Sequence, residues 1–179
     1  MSRDKKNIII SAIFFGCGFV IGIALSQIFL NANLQEMELD LNVYDAQNQF
    51  FYIFLNNLAV CILLICGCGI VTIPLLIYQG FQIGLLLGIW CVSGASYISG
   101  IMLLLPHSIV EVPALILTAT LGNELFFLGK DYFINKENRI HYFFLKNSKK
   151  MIMVLFMLVI AAFVECFITP RIYVRFFYG

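Results

Sequence analysis

Five long apolar runs dominate this chain and decide what it can fold into. A helix that crosses a bilayer needs roughly 20 mainly apolar residues, and in lipid every backbone N–H and C=O must find its partner within the protein. The runs 7–30, 50–73, 80–105, 107–128 and 151–169 meet that requirement. Apolar residues make up 61% of the 179 and charged residues 12%, against about 45–50% and 25% in a soluble domain. Mean hydropathy is +0.95. The sequence therefore predicts an all-α membrane protein, a polytopic bundle of about five transmembrane helices forming one integral membrane domain over 1–179. Arg3, Lys5 and Lys6 ahead of the first run resemble the start of a secretory signal. That run exceeds the ~7–15 residues of a signal core and more spans follow, so a retained first helix is expected.

Loop charge sets the expected orientation, because cytoplasmic loops carry the excess of lysine and arginine. The N-terminus and the 129–150 segment are basic, the latter through Lys130, Lys136, Arg139, Lys146, Lys149 and Lys150. Segment 31–49 has no basic residue and carries Glu36, Glu38, Asp40 and Asp45. The N-terminus is thus expected inside and the acidic loop outside. The C-terminal tail with Arg171 and Arg175 falls outside, where Tyr173, Phe176, Phe177 and Tyr178 suit the headgroup belt. The basic segment is also rich in aromatic residues, so an interfacial amphipathic helix is expected at 130–149. Net charge is only +1, which favours no nucleic-acid partner.

Small residues predict how the helices meet. Gly80, Gly84 and Gly88 recur at four-residue spacing, and Ser11, Gly18, Gly22 and Ser26 repeat the idea in the first span. Such stripes let helix backbones approach closely where lipid offers no hydrophobic drive. They are expected to join helices within the bundle, and a homo-oligomer face is the alternative. The six cysteines, Cys17, Cys61, Cys66, Cys68, Cys91 and Cys166, lie in apolar runs without a metal-binding spacing and read as packing residues. Pro106 is expected to divide the third and fourth spans, sitting in the first turn of the fourth, where its missing N–H costs nothing. Pro113 removes one backbone hydrogen bond and frees the Ile109 carbonyl, so a kink or break there would be tolerated only where neighbours satisfy that carbonyl; the sequence leaves open whether the helix breaks.

Within the spans, ionisable groups are the features that demand explanation, since they are rare and costly at membrane depth. His107 and Glu111 stand four apart, on one helix face. With Ala114, Thr118 and Gly122 they form a stripe that should face protein. Under the expected topology, Glu111 and Glu165 lie ~7 Å below the outer surface and Asn56 and Asn57 ~9–10 Å below it. Three helices thus bring polar groups to one level, with Asn56 or Asn57 expected to donate to Glu111 or Glu165, and His107 to share a proton with a carboxylate. Glu124 falls ~27 Å from the outer end, where Lys130 is the expected partner. The cluster can be read as a helix clamp, as a binding or transport site for a peptide, lipid or ion, or as a metal or catalytic centre. Only one histidine is at hand and H-E-x-x-H is absent, so no metal and no cofactor are expected. No G-x-S-x-G or phosphate loop occurs, and nothing predicts an enzyme.

The polar segments also carry a resemblance. Pro106-His107-Ser108-Ile109-Val110-Glu111-Val112-Pro113-Ala114 resembles the P-H-G-x-x-E-x-P-A core of the stage II sporulation protein M family. Asn56-Asn57 resembles that family's double asparagine, and the segment from Ala161 to Pro170 its A-A-x-I-E-x-x-I-T-P. The resemblance covers roughly 8–170, and Ser108 departs from the usual glycine. It implies a multi-pass protein of a bacterial cell membrane. In endospore formers the family member anchors two peptidoglycan-degrading partners during engulfment, and similar proteins occur near bacteriocin genes, where export or immunity is supposed. The leading expectation is a non-enzymatic scaffold for cell-envelope membrane proteins, with the lipid bilayer as its other partner. A transport or immunity protein that binds a hydrophobic peptide or lipid is the alternative.

Overall fold

A computed structural model describes residues 3–29, 46–92, 97–135 and 140–177. Helix α1 spans Arg3–Phe29, α2 Ala46–Cys66, α3 Thr72–Val92, α4 Tyr97–Asn135 and α5 Ile140–Phe163. A π-helical turn, Val164–Ile168, joins α5 to α6, Thr169–Phe177. There is no strand among the described residues, and five helices are long and apolar enough to cross a membrane. The acidic loop, with Glu36, Glu38, Asp40 and Asp45, lies outside the described residues, as do Lys136, Arg139 and Tyr178.

The α1–α3 pair forms the seam that the small residues predicted. A Cβ on Gly80 would collide with the Phe15 carbonyl, one on Gly84 with that of Phe19, and one on Gly88 with Ser26 Oγ. From the other side, Gly18 lies against the Ile77 carbonyl and Gly22 against that of Phe81. Both helices climb together through these contacts, so they run parallel. Backbone-to-backbone approach of this kind replaces side-chain burial as the attraction between helices in lipid.

Helices α2 and α4 are also parallel. Thr118 Oγ1 donates to the Ala114 carbonyl at 2.7 Å and lies 3.5 Å from Cys61 Sγ. One turn further, Gly122 meets the Leu64 carbonyl and Thr72 Oγ1. Thr72 in turn donates to Leu64 O at 2.7 Å and accepts from Gly69 N at 3.0 Å. These bonds close the α2–α3 turn, where Gly69 takes φ +76° and Cys68 φ 44°, the left-handed region that glycine adopts without steric penalty. Antiparallel α5 completes the bundle through Val154 and Leu158, which join Leu64, Leu76, Ala114, Leu115 and Ala119 in the core. Outward-facing residues such as Val20, Leu55, Ile62 and Phe156 remain exposed, a lipid-facing belt. Cys61 and Cys166 are buried, whereas Cys17 and Cys66 face outward.

Several helix boundaries differ from the sequence expectation. The third helix starts at Thr72 rather than Gly80, and the second ends at Cys66 rather than near residue 73. Pro106 does not divide two spans, and Pro113 does not break one. Both lie inside α4, a 39-residue helix that at ~1.5 Å per residue is nearly twice as long as a bilayer core is thick. Proline in a membrane helix is tolerated where neighbouring groups re-satisfy the freed carbonyl. Finally, 130–149 is no separate interfacial helix. Its first part ends α4 and the rest opens α5, because Phe143 and Asn147 continue the buried stripe of Val154, Leu158, Ala161 and Ala162.

Candidate functional site

His107, Glu111 and Glu165 meet between α4 and the π-helical turn. One ligating atom from each lies within 4.8 Å of the others. His107 and Glu111 share a face because they are one helical turn apart. Glu165 reaches them from the π-helical turn, and the cause of that turn is local. Pro170 has no N–H, and in an unbroken α-helix its ring would crowd the Cys166 carbonyl. The chain widens instead: Thr169 N donates to Val164 O, five residues back, and Thr169 Oγ1 adds a bond to the same oxygen at 3.2 Å. Single π turns inside α-helices recur at functional sites, and this one carries the only carboxylate of its span.

The electrostatics of this cluster are unresolved by protein groups. Two carboxylates within 4.8 Å of each other would, if both were ionised, repel by at least about 3 kcal/mol at an effective dielectric near 20. His107 Nδ1 and Ser108 Oγ are both buried with no hydrogen-bond partner among the described residues.

The paired asparagines divide. Asn57 is buried, 9% exposed, while Asn56 is exposed on the bundle surface. Neighbours on a helix point about 100° apart, so only one of the two can face the core. Asn57 lies one turn from Cys61, hence level with Ala114, next to the cluster along the bundle axis. No described hydrogen bond ties Asn56 or Asn57 to Glu111 or Glu165. Of the helix-shaping residues, Gly80, Gly84 and Gly88 build the α1–α3 seam, and Pro106 and Pro113 lie within α4 on either side of the His–Glu pair.

Glu124 lies at the other end of α4 with different partners from the one expected. Lys150 Nζ donates to Oε1 at 3.2 Å, Asn147 Nδ2 donates to Oε2 at 2.9 Å, and Lys146 stands 3.7 Å away. Lys130 is exposed. Six residues beyond Glu124, it points about 120° away around the helix. Asn147, wholly buried, was not singled out in the sequence. Its spacing from Phe143, Val154 and Leu158 is the signal that identifies it.

Two cavities flank the bundle and both are apolar. One of about 280 Å³ lies among α1, α3 and α4, with Phe15, Phe19, Leu87, Leu104, Val112 and Ser108 on its walls. The other, about 270 Å³, lies between α2, α4 and α5 around Leu58 and Leu155. Neither is lined by Glu111 or Glu165.

Comparison with known proteins gives the cluster a context. The family model described as Stage II sporulation protein M matches residues 11–170, a stretch that contains every residue of the cluster. An uncharacterized protein of Methanocaldococcus jannaschii is 29% identical over 174 residues, covering 94% of this chain and 96% of its own. No solved structure matches significantly.

Proposed function

We propose that this chain, which belongs to the stage II sporulation protein M family, is a non-enzymatic scaffold that assembles cell-envelope partners, peptidoglycan-remodelling proteins among them, in a bacterial cell membrane. The observation that carries this reading is where the motif residues lie. His107 and Glu111 from α4 and Glu165 from the π-helical turn converge at a contact between helices, and the two cavities described above are walled by apolar residues and Ser108 rather than by these three. A transporter needs a polar route to its ionisable groups. A scaffold needs a rigid bundle with a defined face, and the α1–α3 seam and the α2–α4 contacts supply the rigidity.

Crosslinking in the native membrane followed by purification of the full chain tests the proposal. The expected result is a stoichiometric complex with peptidoglycan-remodelling proteins, with crosslinks on the end of the bundle that carries His107. Absence of such a complex, together with solute flux through the chain alone in proteoliposomes, would contradict it.

One observation favours a second reading, capture of a hydrophobic peptide or lipid by a transport or bacteriocin-immunity protein. The cavity among α1, α3 and α4 is apolar apart from Ser108 and suits an acyl chain or an apolar side chain. A photoreactive lipid or peptide that labels Phe19 or Leu104, and is displaced by its unlabelled form, would support that reading over the scaffold.

A further inference from the structure

We propose that His107, Glu111 and Glu165 bind one first-row divalent metal ion of the Zn²⁺ or Mn²⁺ type, tying α4 to the π-helical turn. This departs from the expectation drawn from the sequence, where a single histidine argued against a metal. Geometry changes that weighing. Glu165, which depth alone placed at the same level, stands beside the His107–Glu111 pair in space, so three donors on two elements are in reach of one ion. They lie within 4.8 Å of one another. Donor atoms around a tetrahedral Zn²⁺ at ~2.0–2.2 Å stand ~3.4 Å apart. The cluster therefore needs a contraction of at most ~1.4 Å, a distance of the order that side-chain torsions span.

The donor set and its surroundings select the ion. Two carboxylates and one imidazole give a net charge of −2 when ionised, and a dication neutralises it where no water can. Glu124 shows what this chain does with a half-buried carboxylate held by protein groups, giving it Lys150, Lys146 and Asn147. The Glu111–Glu165 pair has no such set among the described residues. An imidazole ligand disfavours Ca²⁺ and Mg²⁺, which take oxygen donors. The absence of a thiolate from the set disfavours Cu⁺ and iron–sulfur clusters, and N/O donors of this mixture suit Zn²⁺ or Mn²⁺. His107 Nδ1, buried and without a partner, is a nitrogen that a metal ion or a reoriented ring would satisfy. Three protein ligands leave at least one coordination position open.

The inference goes beyond the scaffold reading and stands or falls apart from it, because metal content and partner binding are measured separately. The experiment loads the full chain in detergent or nanodiscs with Zn²⁺ and, in parallel, Mn²⁺. Bound metal is counted by mass spectrometry after removal of the excess. Wild-type protein is expected to hold one equivalent, and Glu111→Gln, Glu165→Gln and His107→Gln to bind at least about tenfold more weakly, the loss that even an outer-shell partner's removal brings. The substitution Cys17→Ser, on the outward face of α1, is expected to leave binding unchanged. Metal retained equally by wild type and Glu111→Gln would place the ion elsewhere, on His141 or a cysteine, and overturn the proposal. So would wild type without stoichiometric metal. X-ray absorption on the loaded wild type gives a readout independent of any variant's folding: a nitrogen–oxygen shell with one imidazole is expected, and a sulfur shell would overturn the assignment.

Discussion

Helix α4 carries two half-buried glutamates, and they are treated in opposite ways. At one end Glu124 is held by Lys150, Lys146 and Asn147, cationic and amide donors that tie α4 to α5, while Asn147 Oδ1 is itself buried without a partner among the described residues. At the other end Glu111 faces Glu165 and His107, a set with like charges and an orphan ring nitrogen. A carboxylate with enough donors needs no function beyond packing. A pair of carboxylates placed together against their own repulsion is what the proposed metal ion would neutralise. The contrast separates a structural site from a candidate functional one on a single helix.

The comparison can be broken from several directions. The largest effect is expected from Gly122→Leu, which stands between the two sites. Its side chain would strike the Leu64 carbonyl and Thr72 Oγ1, separating α4 from the α2–α3 turn. Overpacking a tight contact costs about 3 kcal/mol or more when backbone is struck, and the unfolding midpoint in detergent reads it. A smaller loss, about 2–3 kcal/mol, is expected for Glu124→Ala, which leaves the Asn147 amide buried without its acceptor and removes the carboxylate that Lys150 and Lys146 face. Glu111→Gln should differ in sign from that. In metal-free protein it removes one of two repelling charges at nearly constant volume, so stability should match or exceed wild type. Smaller still, Asn57→Ala is expected to cost about 1 kcal/mol as a buried amide, and Asn56→Ala, on the exposed face, to stay within about 0.5 kcal/mol. Equal losses at Asn56 and Asn57 would mean that the α2 face is assigned wrongly.

Much of this architecture was legible in the sequence because the bilayer restricts a chain to few solutions. Length and hydropathy identify five spans, and the glycine spacing locates the α1–α3 seam, since only glycine permits carbonyl-to-backbone contact there. His107, Glu111 and Glu165 could be brought together by depth alone, without any contact information. What depth cannot supply is the direction in which a side chain points. Asn56 and Asn57 share a level but not a face, and Lys130 shares an end with Glu124 but not a face. Pro106 misled in a physical way. Such a proline signals a boundary in water, whereas in this membrane bundle the helix continues through it and through Pro113. Pro170 does alter its helix, but by widening a turn, and a hydrophobic pattern with a fixed 3.6-residue period does not register one extra residue. The basic segment after residue 139 misled because its charges drew attention from Phe143 and Asn147, whose spacing already continued the fifth helix.

The two carboxylate sites of α4 differ in kind. The most direct test of that difference is the unfolding of metal-free wild type, Glu111→Gln and Glu124→Gln side by side in one detergent. The expected result is a lowered midpoint for Glu124→Gln and an unchanged or raised one for Glu111→Gln. A fall at Glu111→Gln as large as that at Glu124→Gln would show that both carboxylates are paired clamps and would contradict it.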